Sequence, residues 1–236
     1  MVRRRPATPP VAERRGSSNQ ASLTMAFQVA EKIARRIRAG EYRPGDSLRE
    51  IPLAEDLAVG RSSIREAFRI LERDGVLLVE PRRGASVTRL STDELVEIFQ
   101  VRAVLLGLAM GRFTAGCDDT QVAWVEARFL EMQRIEIDHP DNAAAAHADV
   151  SAQMSRFIFE AASNKLLAQL LSRMSLQIAR YTVLGLSVPR RREQSRATWA
   201  KVVAAIRKRD ARVAERLGRK LVSENLSFAL SQIAGQ

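Results

Sequence analysis

Apolar residues recur at intervals of three and four along most of the chain, and each break in that rhythm marks an element boundary. Residues 1–22 follow neither a helical nor a strand period; rich in Pro, Arg, Ala and Ser, they read as a disordered basic tail. Near Thr24 a helix is expected to begin. Val29, Ile33 and Ile37 lie four apart on one apolar face, and Gly40 suits the C-terminal cap. Tyr42-Arg43-Pro44-Gly45-Asp46 is a turn by composition. A second, short helix is predicted from about Ile51 to Ala58, with Leu53 and Leu57 inward. Val59-Gly60-Arg61 leaves room only for a tight turn. Ser62 then caps a third helix, with Glu66 near the capping-box position. Ile64, Ala67, Phe68 and Leu71 point inward on it, and Gly75 ends it. Val76-Leu77-Leu78-Val79 and Ala85-Ser86-Val87 read as two short strands joined by the turn Pro81-Arg82-Arg83-Gly84. Three helices and a hairpin in this order make a winged helix-turn-helix, whose third helix keeps its outer face free for a DNA major groove.

From Ser91 the strand-like alternation stops. Breaks near Gly116, Pro140, Asn164, Pro189 and Asp210 divide the rest into six predicted helices, at about 91–115, 119–138, 141–162, 165–186, 190–208 and 211–234. An all-helical bundle is the economical fold for them. The expected architecture is therefore mostly α: a basic tail over 1–22, a winged-helix DNA-binding domain over 23–90, and a helical bundle over 91–236 for effector binding and dimerisation.

Composition sharpens this picture. The formal net charge is +11, with Arg the main cation. Residues 1–90 carry 18 Lys+Arg against 11 Asp+Glu, so most of the excess lies in the predicted winged helix and its tail. A polyanionic partner is implied, with nucleic acid first. One cysteine, Cys117, excludes a disulfide framework or a multi-cysteine metal site. Two histidines, His139 and His147, leave little for a histidine-rich metal centre. There is no run of eighteen apolar residues, and none follows the basic N-terminus, so a membrane span and a secretory signal are not expected. A cytoplasmic protein with no membrane partner and no cofactor is the expectation.

The reading positions of the predicted third helix carry the DNA chemistry. Arg61 and Arg65 are four apart and share one helical face. Arginine forks onto guanine O6 and N7. Ser62, Ser63 and the helix N-terminus suit a phosphate. Arg69 extends the basic face, and Arg49 before the second helix is a further phosphate contact. Arg82 and Arg83 at the wing tip reach backbone or minor groove, while Gly84 keeps that turn tight.

The stretch Ile37 to Val87 resembles the DNA-binding domain of GntR-family bacterial regulators. The matching pieces are Gly40…Pro44-Gly45…Leu48, Leu53-Ala54-Glu55…Val59, Arg61-Ser62…Ile64-Arg65-Glu66-Ala67, Leu71-Glu72…Gly75 and Pro81…Gly84-Ala85…Val87. The resemblance implies operator-base contacts by Arg61 and Arg65, and approach to the minor groove by Gly84. Gly60 stands where the family usually has Ser or Thr, and Ile51 where many members have Arg.

Residues 91–236 resemble the helical FCD effector domain of the FadR subfamily, with a helix number similar to its shorter, VanR-like branch. Val101-Arg102…Leu105, Ala161-Ala162-Ser163-Asn164 and Ala205-Ile206…Asp210…Ala214 carry the likeness, and Leu106 replaces an expected acid. Many FCD domains hold a divalent metal on an Asp, a His four residues later and one His from each of the last two helices. The corresponding positions here are Ser151, Ser155, Trp199 and Leu221, which offer no ligand set, so no metal is expected. Without a metal, a pocket for an organic acid needs a cation and hydroxyls. Arg102, Ser151, Ser155 and Trp199 are the candidate lining, with Arg102 the carboxylate partner.

Other residues read as structural. Trp124, Phe129, Phe157 and Phe159 are expected in a core or dimer interface, and Cys117 as an inert thiol. Arg190-Arg191-Arg192 and Arg207-Lys208-Arg209 are expected on solvated faces. The leading functional expectation is a ligand-responsive transcription factor, a repressor by family resemblance. It would bind a palindromic double-stranded DNA operator as a homodimer and respond to a small carboxylate. The alternative is a constitutive DNA-binding protein with a degenerate effector pocket. No phosphate loop and no nucleophile–base pairing support an enzyme.

Overall fold

The computed structural model describes residues 13–80 and 84–234, with side chains described from Met25 onward. Its order is α1 (Glu13–Ala39), β1 (Ser47–Leu48), α2 (Glu50–Asp56), α3 (Arg61–Arg73), β2 (Leu77–Glu80), β3 (Gly84–Val87), α4 (Thr92–Gly116), α5 (Asp119–Asp138), α6 (Ala143–Ala161), α7 (Lys165–Leu186), α8 (Pro189–Arg207) and α9 (Ala211–Ala234), with a 3-10 turn at Pro140–Asn142. The fold is mostly helical: a winged helix-turn-helix followed by a helical bundle.

The first helix starts earlier than the hydrophobic pattern indicates. Residues 13–22, expected in a disordered tail, belong to α1, and residues 1–12 lie outside the described residues. No proline stands between Pro10 and Pro44, and extending a formed helix costs far less than nucleating one. The apolar face of α1 is Ala26, Val29, Ala30, Ile33, Ala34 and Ile37, all buried. Gly40 closes the helix at φ +84, with its N–H donating to Ile37 O and the Glu41 N–H to Arg36 O.

Against α1 packs α3, through Ile64, Ala67, Phe68 and Leu71. The expected cap of α3 is corrected. Gly60 is the N-cap, without a side-chain bond, and Arg61 is already helical. The turn before it closes one residue sooner than the sequence suggests, because Ala58 takes a left-handed conformation (φ 52) and the Val59 N–H returns to Ala54 O. Ser62 therefore sits inside the first turn instead of at its edge. The hairpin β2–β3 forms as expected, and β1 adds to it to give an antiparallel sheet of order β1-β3-β2. A two-residue strand leaves too little alternation to be read from sequence.

The six predicted helices of the second half correspond to α4–α9, with boundaries within two residues. Local chemistry sets several of those ends. Ser91 and Glu94 form a reciprocal capping box at α4, Asp118 and Gln121 another at α5, and the Asn164 side chain caps α7. The central pair is α4 and α9, which approach closely at Gly107 and Gly218. Phe99, Met110, Phe113, Met132, Phe159, Trp199 and Leu171 fill the bundle core. Phe159 is buried, while Trp124, Phe129 and Phe157 pack at its margin, with Trp124 stacked on Phe157 at 4.0 Å.

The two domains touch through α7. Leu176 packs against the winged-helix core, Arg173 Nε lies 3.6 Å from Asp74, and Gln177 covers Gly75.

Candidate functional site

Two of the places where the described residues gather polar and charged side chains hold the candidate residues. The first is a groove of about 890 Å³ on the winged helix, lined by Arg49, Glu50, Arg61, Arg65, Arg69, Glu80 and Gly84 among others. The amphipathic α3 builds it: burial of Ile64, Phe68 and Leu71 on one side leaves Arg61, Arg65 and Arg69 exposed on the other. Ser62 is exposed and Ser63 half-buried in the first turn, beside the positive end of the helix. Arg49 is the exposed N-cap of α2. Gly84 has φ +95, and a Cβ there would stand 3.0 Å from Leu48 O, so a side chain is excluded by both conformation and space. Arg82 and Arg83 lie outside the described residues.

Glu50 is the residue the sequence reading missed here. Its carboxylate accepts from Arg65 Nε at 2.9 and 2.8 Å and lies 3.8 Å from Arg61 Nη2. It therefore holds two arginines of the exposed α3 face in place and reinforces the charge of Arg65. Fifteen residues separate Glu50 from Arg65, so no local spacing announces the pair.

The second place is a small chamber of about 60 Å³ inside the bundle, lined by Phe99, Arg102, Leu106, Ser151, Ser155, Ile178, Thr182, Arg191, Ser195, Trp199, Leu221 and Asn225 among others. The four positions singled out by family likeness, Ser151, Ser155, Trp199 and Leu221, converge on it from α6, α8 and α9. Arg102 joins them from α4. Its guanidinium is buried and donates through Nη1 to Ser175 Oγ at 2.8 Å and Leu171 O at 3.2 Å. Burial lowers its pKa to about 10, so it remains a cation at neutral pH, and it makes no ion pair among the described residues. Trp199 Nε1 donates to Ser151 Oγ at 3.1 Å, which uses the one donor of the indole.

The run Arg190-Arg191-Arg192 is corrected. Arg190 is exposed, but Arg191 and Arg192 are buried. Pro189 starts α8 one residue before the expected bound, and the helix turns both arginines inward. Arg192 bridges α5 and α7: Nε donates to Glu136 at 2.7 Å, and Nη1 to the carbonyls of Leu186 and Ser187 at the end of α7. Arg191 is different. Only Nη2 is satisfied, by Leu221 O at 3.1 Å; Nε and Nη1 make no hydrogen bond, although Glu224 lies 3.6 Å from Nη1. Asn225, on α9, is buried with both amide atoms unpaired. Buried polar groups are ordinarily bonded, and those that are not point to a missing partner. The unexpected members of the chamber are thus its most informative ones. Arg207, Lys208 and Arg209 are exposed as expected.

His147 packs beside the chamber with Nε2 2.9 Å from Ser195 Oγ. Burial and the neighbouring Arg196, Arg191 and Arg192 push its pKa down to about 3, against a small opposing effect of Glu136. It is a neutral core histidine. Ser151, Ser155, Trp199 and Leu221 supply no thiolate, imidazole or carboxylate, and His147 faces Ser195, so the donor set does not fit the divalent metal of many FCD domains. Burial raises the pKa of Cys117, which lowers its reactivity.

Residues 26–87 match the family model for bacterial regulatory proteins of the gntR family, and residues 97–224 match the FCD domain. The chain is 33% identical over 123 residues to the gluconate operon transcriptional repressor of Bacillus licheniformis, covering 52% of this chain and 50% of that one. It is 28% identical over 164 residues to the Probable D-xylose utilization operon transcriptional repressor of Paenarthrobacter nicotinovorans, covering 70% of each. The first curated relatives are matched over only 48% and 30% of their lengths. The fold is similar to that of E. coli McbR/YncC, with a TM-score of 0.78 at 17% identity over 89% of this chain and 98% of the other. Among the described residues no helix is long and apolar enough to cross a membrane.

Proposed function

The chain belongs to the GntR family of bacterial regulatory proteins and is a transcriptional regulator with an FCD domain, and on that premise we propose that it is a cytoplasmic repressor whose grip on a palindromic operator is set by a carboxylate metabolite in the bundle chamber. Arg61, Arg65 and Arg69 read or grip the major groove, with Arg49, Ser62 and Ser63 on phosphates. Gly84, and Arg82 and Arg83 beyond the described residues, serve the wing. Arg102, Ser151, Ser155 and Trp199 line the effector chamber, and Arg191 and Asn225 are added to them. The observation that carries the effector reading is the buried Arg191 with two unbonded nitrogens beside an unpaired Asn225. A carboxylate offers lone pairs to the guanidinium and to the Asn225 amide N–H, which leaves Asn225 Oδ1 to accept from a donor such as a hydroxyl. The relative named for a gluconate operon agrees with an organic acid.

A homodimer supplies the two half-sites. Val101, Val104 and Leu108 are exposed on one stripe of α4, the apolar surface a second copy would cover. The second reading, a constitutive DNA-binding protein with a degenerate pocket, draws on the size of the chamber and on the Trp199–Ser151 bond that closes part of it.

One experiment separates the two readings. Duplexes selected from a random pool by the full chain are titrated with protein at fixed salt, with and without gluconate and a panel of other organic acids. A palindromic consensus is expected, with affinity lowered by at least one acid. Arg65→Ala should cost about 1–3 kcal/mol of binding, and Arg191→Met should leave DNA binding intact while removing the acid response. Unchanged affinity with every acid would favour the constitutive reading. Unchanged affinity of Arg65→Ala would overturn the assignment of α3 as the reading helix.

A further inference from the structure

A second cavity adjoins the chamber. It measures about 270 Å³ and shares the wall Arg102, Ser151, Ser155, Ile178 and Thr182 with the inner space. Its far side is not formed by the bundle. Arg35, Arg38 and Ala39 of α1 close it, so the DNA-binding domain contributes directly to the lining. Arg35 and Arg38 are one helical turn apart and have no ion-pair or hydrogen-bond partner among the described residues. By contrast, Arg36 on the same helix is paired with Asp56 and Glu41. Asp149 is the one acid on the wall, and its carboxylate accepts from Gln153 Nε2 at 2.8 Å. Three arginines against one engaged aspartate leave the outer cavity cationic at both ends, Arg102 at the inner end and Arg35 with Arg38 at the outer.

The inner chamber holds little more than a head group, whereas pockets for small molecules run to about 300–1,000 Å³. A ligand seated on Arg191 and Asn225 therefore has to extend past Arg102 into the outer cavity. We propose that the effector is an elongated dicarboxylate that spans both compartments, its second carboxylate held by Arg35 and Arg38 of α1. This rests on the effector reading given above and deepens it, because it names the ligand class and the route of regulation. The opposite face of α1 packs on α3. A ligand bonded to α1 thus acts on the element that carries the reading helix, with no relay through the bundle. Its differential contact with the bound and free placements of the winged helix is the free energy that shifts operator affinity.

The test uses the full chain and matched acids: the straight-chain dicarboxylates from succinate to sebacate, each against the monocarboxylate of equal length, and glucarate against gluconate. Binding is read by calorimetry, and operator release by anisotropy. A dicarboxylate of one preferred length should bind at least about tenfold tighter than its monocarboxylate partner. The double variant Arg35→Gln with Arg38→Gln should erase that advantage while leaving monocarboxylate binding and thermal stability unchanged. Arg191→Met should weaken both acids of a pair. Equal binding of the members of every pair, or a dicarboxylate advantage that survives the double variant, would overturn the bridging ligand while leaving a carboxylate effector in place. Failure of all these acids to bind would overturn both.

Discussion

His147 shows how far surroundings move a side chain from its solution behaviour. The unfolded chain titrates it near its ordinary value of 6.5, while the folded chain refuses the proton until about pH 3. Between those values the unfolded state binds more protons, so stability falls as pH falls through the window. The slope is at most about 1.4 kcal/mol per pH unit from this one group. Thermal melting followed from pH 7 to pH 5, above the titration range of the carboxylates, should show a falling midpoint, and His147→Leu should flatten it. An identical slope in the variant would remove His147 as its source. Arg191, Arg192 and Arg196 on α8 add to the effect, and Glu136 on α5 opposes it. The exposed basic face of α3 was legible because Arg61, Arg65 and Arg69 follow a helical period. Arg191 was not. Three arginines in a row look solvated, and only the packing of α8 against α9 turns one of them into a buried, under-bonded cation.

Elements were more legible than single side chains. The ends of α4, α5 and α7 are written locally in Ser91, Asp118 and Asn164, whose side chains accept backbone N–H groups. The start of α3 was misplaced because Ala58 adopts a left-handed turn that a glycine would have advertised. The contact of α4 with α9 is a tertiary property. A Cβ on Gly107 would lie 2.9 Å from Glu215 O and 2.6 Å from Arg219 Cγ, and the backbone atom has no room to retreat. Gly107→Ala should therefore destabilise by about 1–3 kcal/mol in denaturant melts, despite better helix propensity. Gly116→Ala, with nothing within 4 Å, is the control and should be neutral or stabilising by up to about 1 kcal/mol. Equal behaviour of the two variants would refute the close-approach argument.

At the scale of the molecule, the apolar stripe of α4 makes its own prediction. Val104→Glu is expected to turn a dimer into a monomer in sedimentation and to weaken operator binding through loss of the second half-site, with the helical signal unchanged. A variant that stays dimeric would place the interface elsewhere. Hydrophobic period, turn residues and cap residues determined by themselves the mostly helical class, the winged helix-turn-helix, the six bundle helices and the basic outer face of α3, because each depends on neighbours within a few positions. Only the tertiary structure decided the pairing of Glu50 with Arg65, the inward turn of Arg191 and Arg192, the unpaired Asn225 and the closing of a cavity by α1. Those contacts join residues 15 to 150 or so positions apart, and burial, which sets their charge and bonding, exists only once the helices have packed.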